Sequence, residues 1–76
     1  MARKSEAQRL VDFCISENLP CRGMINLFDE ILGAMEAGLS PADILSCCRR
    51  ADGRSLGLEL YTAMKQRGMR ANGVGA

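Results

Sequence analysis

Histidine and tryptophan are absent from these 76 residues, and the aromatic side chains are one Tyr and two Phe. Without histidine the chain lacks the commonest general base near neutral pH and the commonest imidazole metal ligand. No apolar run exceeds a few residues, far short of the roughly 20 that a membrane helix needs. Net charge is also scarce, at +1. Glycine-rich phosphate loops are missing, and no nucleophile has an evident base beside it. Asp29 and Glu30 are adjacent and diverge on a helix, so they do not make a paired-carboxylate site. Catalysis, a cofactor, a small-molecule substrate and a membrane partner are therefore not expected.

What is present is apolar content, at 47% of the chain, which is too high for a disordered segment. The length allows one core and no second domain. The opening residues are polar and never lead into an apolar signal region, so a reducing cytoplasm is the expected setting. Disulfides are rare there, which leaves four cysteines to explain. Cys14 and Cys21 are seven positions apart, and Cys47 and Cys48 are adjacent. Neither spacing is the short knuckle that brings two thiolates to one zinc ion. Reduced cysteines serving as small hydrophobes are the expectation, with no metal site. A redox role for Cys47 and Cys48 is the competing reading, since Arg49 and Arg50 would lower a nearby thiol's pKa.

Hydrophobic spacing predicts four short helices. The first covers about Ser5 to Ser16, with Ser5 and Gln8 as a capping box and Leu10, Val11, Phe13 and Cys14 as its apolar stripe. Pro20 ends that stretch. The second starts between Cys21 and Met24 and ends at Ala37, with Ile25, Phe28, Ile31, Leu32 and Met35 on one face and Gly38 as a left-handed cap. The third opens at Ser40-Pro41-Ala42-Asp43, an N-cap hydroxyl followed by proline at the first helical position, and buries Ile44, Leu45 and Cys48. The fourth covers about Ser55 to Arg67, with Leu56, Leu60 and Met64 aligned and Gly68 as the stop. Met24, Met35 and Met64 sit at core spacing, while Met69 follows the last cap and is expected at the surface. The fold class is thus all-α, a compact bundle of four short helices over residues 1–70, with a Gly-rich disordered tail at 71–76.

The near-zero net charge conceals a segregation. Residues 1–21 are neutral, residues 22–48 carry −3, and residues 49–76 carry +4. The basic end comprises Arg49, Arg50, Arg54, Lys65, Arg67 and Arg70. Like charges gathered at one end attract a polyanion or an acidic protein. Cations near helix C-termini are also an ordinary solvated arrangement.

The stretch from Leu27 to Leu45, with Ala37-Gly38-Leu39-Ser40 between two amphipathic segments, resembles the front of small prokaryotic helix-turn-helix domains. The resemblance implies that Ser55–Arg67 is a recognition helix entering a major groove. The turn from Arg49 to Arg54 is longer than the usual three or four residues of that motif. The start of the helix offers Arg54, Ser55, Gly57 and Glu59, a set better suited to phosphate than to base edges. Residues 56–72 are also similar to the second helix of a pentatricopeptide repeat, although one or two such units lack the stacked neighbours a solenoid needs.

Two functional expectations follow. The first is a small regulatory protein that binds nucleic acid through the six basic residues. The second is a small inhibitor or adaptor, of the anti-CRISPR or transcription-machinery class that phages and plasmids encode, which binds a host protein. A homodimer is expected in either case, because helices this short are marginal alone and a chain this small buries little surface.

Overall fold

Helices and tight turns make up the whole path in the computed structural model, which describes residues 2–69. Helix α1 spans Ala2–Ser16, a 3-10 turn spans Pro20–Gly23, α2 spans Leu27–Glu36, α3 spans Pro41–Arg50 and α4 spans Leu56–Gln66. No strand occurs among the described residues. The all-α bundle is as the hydrophobic spacing predicts. Arg70 and the tail at 71–76 lie outside the described residues.

The segments after α1, α2 and α4 differ in sequence, yet these three helices end in the same way. Asn18, Gly38 and Gly68 each adopt a positive φ, at 60°, 108° and 74°. The residue after each returns its N–H to a carbonyl five positions back: Leu19 to Cys14, Leu39 to Ala34 and Met69 to Met64. This pattern satisfies the orphan carbonyls of a helix end and folds the following apolar residue onto the last turns. Leu19 and Leu39 are buried as a result. Met69 is half-buried and packs against the core, with its thioether on the side of Gly38 where a side chain would project, so the expectation of a surface Met69 is corrected. The first helix is ended by Asn18, two residues before Pro20, rather than by the proline itself.

Two further boundaries differ from the sequence expectation, and a third is reached by a different cap. Helix α1 is already under way at Ser5, so Ser5 and Gln8 form no capping box; the Gln8 amide donates instead to Asp12 at 3.0 Å, one turn on. Helix α2 starts at Leu27, later than expected, because Pro20–Gly23 close as a separate 3-10 turn and Met24 is extended. Ile25 therefore falls on a connecting segment and is fully exposed rather than part of the buried face. Helix α4 takes its start from Asp52, whose carboxylate accepts from the N–H groups of Arg54 and Ser55 at 2.9 and 3.1 Å. Ser55 makes no such cap.

The third helix opens as its sequence predicts, with Ser40 Oγ accepting from the Asp43 N–H at 3.2 Å. The core is formed where the four helices meet, by Leu10 of α1, Ile31 and Met35 of α2, Ile44 of α3, and Leu56 and Leu60 of α4. All four cysteines are buried in it.

Candidate functional site

Helices α3 and α4 run antiparallel, and an ion pair closes each end of their contact. Arg50 at the end of α3 meets Glu59 in the first turn of α4 at 3.2 Å. Arg67 at the end of α4 meets Asp43 in the first turn of α3 with two bonds, Nε to Oδ2 at 2.6 Å and Nη2 to Oδ1 at 2.7 Å. The two-pronged geometry is the fork that guanidinium makes with a carboxylate. It holds the Asp43 carboxyl below the usual aspartate range, chiefly through the Arg67 hydrogen bond, with Ser40 adding a second donor.

The basic end read from the sequence is thus divided in space. Arg50 and Arg67 are spent on carboxylates of their own chain. Arg49 leaves the α3–α4 groove and lies over the Phe13 ring of α1, 5.5 Å from its centroid. Lys65 lies over the Tyr61 ring on the outward side of α4, at 5.6 Å. Arg54 sits in the turn before α4, held by its backbone to Asp52. Arg70 lies outside the described residues. Five cations therefore point to the α1 side, the α3–α4 groove, the outer face of α4 and the connecting turn.

The outer face of α4 carries what the charge reading missed. Leu58 is 68% exposed and Tyr61 is 42% exposed. They are three positions apart, and Lys65 follows at four more, so all three share one side of the helix. The opposite side holds Leu56 and Leu60 in the core. The signal was available in the sequence: Leu58 falls off the Leu56, Leu60, Met64 stripe and has no place in a helix buried on one face only. A shallow groove between α2 and α4 borders the same helix, floored by Gly33, Ala34 and Gly57 and edged by Asp29 and Glu30.

Three of the cysteines meet in space despite their separation in sequence. Cys14 from α1, Cys21 from the 3-10 turn and Cys48 from α3 bring their sulfurs within 4.8 Å of one another. The reversal at Asn18 places the 3-10 turn back against α1, so seven residues of separation become contact. Cys47 faces the other way, toward the Glu59 carbonyl at 3.5 Å and the Arg50 guanidinium at 3.7 Å. Burial pushes the Cys14 thiol up to about 11, with the neighbouring Cys21 adding to the rise. Burial raises Cys48 as well. Cys47 is also raised by burial, which outweighs the lowering by Arg50. The activated thiolate required by a Cys47–Cys48 redox role is therefore not favoured by these surroundings.

No protein-family model, curated protein or solved structure matches this chain.

Proposed function

We propose that this chain is a small non-catalytic binding protein whose partner is another protein, engaged through the outward face of α4. The observation that carries the reading is the pairing of Leu58 and Tyr61 on that face, both exposed on a helix whose other side is already committed to the core. Tyrosine is among the residues that most often anchor a protein contact, Leu58 beside it adds apolar area, and Lys65 supplies a polar rim. The dispersal of the cations favours the same reading. A polyanion track needs several charges along one surface. Of the five described cations of the basic end, two are neutralised in place, and Arg49 and Lys65 lie over rings on different helices. An inhibitor or adaptor that acts by covering a site on a larger host protein is the class that fits this size and surface.

Self-association belongs to the same reading, because a second copy is one protein able to cover Leu58 and Tyr61. Sedimentation of the wild type against Leu58→Glu separates a dimer through this face from a monomer that awaits another partner.

Nucleic-acid binding is the second reading, supported by Arg49, Arg54 and Lys65, which have no carboxylate partner among the described residues. A gel-shift series with DNA and RNA at about 50 mM salt decides between the two, because a phosphate-binding protein is tightest there and weakens steeply as salt rises. The protein-partner reading expects no shift. Salt-sensitive binding that is lost in an Arg49, Arg54 and Lys65 triple alanine variant overturns it in favour of nucleic acid.

A further inference from the structure

We propose that Cys14, Cys21 and Cys48 form a three-thiolate site for one soft d10 cation, zinc or cuprous copper. The three sulfurs come from three separate elements and converge at a single buried point. An ion bound at about 2.3 Å from each sulfur would set them roughly 4 Å apart. Sulfurs already within 4.8 Å of one another reach that spacing with less than an ångström of contraction. No element has to unfold to close the site, since α1, the 3-10 turn and α3 already meet there.

The donor set selects the ion. Thiolate sulfur favours zinc and cuprous copper over magnesium, calcium and manganese. Charge balance favours a divalent ion: three thiolates and one dication leave a single negative charge, and the Arg49 guanidinium acts on Cys14 as a nearby positive charge. Coordination number favours the cuprous ion, because three sulfurs complete it, whereas tetrahedral zinc needs a fourth ligand from water or from outside the trio. Binding replaces three S–H bonds with three S–metal bonds and releases three protons for each ion. Because each sulfur gives up its proton on binding, affinity rises with pH.

The cluster differs from ordinary core cysteine in a way that can be measured. Cys47 is equally buried, is the immediate neighbour of Cys48 and lies outside the trio, so it is an internal control. The reduced, metal-free full chain is titrated with zinc against a chromophoric chelator, and separately with cuprous ion against a cuprous-specific chelator. The expected result is one ion per chain in at least one arm, with the better arm naming the ion. Loss of a ligand should exceed the effect of losing a supporting hydrogen bond, so Cys14→Ala, Cys21→Ala and Cys48→Ala should each weaken binding roughly 100-fold or more, while Cys47→Ala leaves it unchanged. A wild-type melting curve makes the test independent of how the variants fold, because an ion that binds only the folded state raises Tm. Absence of a stoichiometric complex and of any Tm rise in both arms overturns the proposal, as does equal weakening by Cys47→Ala.

Discussion

Arg67 grips Asp43 through both Nε and Nη2, at 2.6 and 2.7 Å, and so fixes the end of α4 to the first turn of α3. Asp43 is at the same time the residue whose N–H the Ser40 hydroxyl caps. One carboxylate therefore joins a local helix start to a long-range helix contact.

That junction sets a pH dependence. Asp43 is held below its ordinary value first by the Arg67 hydrogen bond, and Asp52 is lowered first by the Arg54 backbone N–H. The folded chain keeps these carboxylates ionised to lower pH than the unfolded chain does. Their contribution is complete above the ordinary aspartate range, near about 4, and is lost as pH falls through the lowered folded values. Urea midpoints measured from neutral pH downward should decline in that window, and Asp43→Asn should make the decline shallower. An unchanged acid limb in the variant would remove Asp43 from the explanation.

The cap at Ser40 predicts a stability loss without a change in fold. Ser40→Ala removes the acceptor of the Asp43 N–H and should cost about 1 kcal/mol, read as a lower urea midpoint at an unchanged denaturant slope.

Glycine substitutions should have opposite signs at different positions. Gly38 and Gly68 hold positive φ values that a side chain resists, so Gly38→Ala and Gly68→Ala should each destabilise by about 1 kcal/mol. Gly33 lies inside α2 with open space where a Cβ would go, so Gly33→Ala should stabilise by roughly 0.5–1 kcal/mol. Thermal melts of the three variants, compared with wild type, check both signs in one experiment.

Leu58 and Ile31 separate surface from core. Ile31 is fully buried, so Ile31→Ala should cost about 2–5 kcal/mol, a large share of the stability of so small a domain. Leu58→Glu changes an exposed side chain and should leave the melting curve nearly unmoved while abolishing the protein contact proposed for α4. A Leu58→Glu variant that unfolds would place Leu58 in the core instead.

Much of the fold is legible because its signals are local. Ser40-Pro41 and the glycines at 38 and 68 act within a few residues, and each does what its chemistry predicts. The errors arise where two local rules compete. Ile25 continues an apolar helical spacing, but Pro20 and Gly23 close a separate turn first, and the spacing loses. Helix α4 begins where its spacing predicts, and Asp52 supplies the cap because its carboxylate reaches two backbone donors. The site was harder to read than the fold because charge counted along a chain does not record direction. Arg49 and Arg50 are neighbours in sequence, yet one rests on Phe13 and the other on Glu59. The meeting of Cys14, Cys21 and Cys48 depends on the reversal at Asn18 and on the docking of α3, neither of which any spacing rule contains.

The shared ending of α1, α2 and α4 has a kinetic consequence. Each reversal is complete within about a turn of its own helix, with the following residue, Leu19, Leu39 or Met69, returned to the core side. Such closures form before distant segments meet, which places the chain among proteins that fold quickly through nearby contacts. The docking of α3 against α1, which brings Cys48 to Cys14, joins residues far apart in the chain and is expected to follow these local closures. An ion that joined those sulfurs only once the helices had docked would lengthen the lifetime of the finished molecule more than it hastens its assembly.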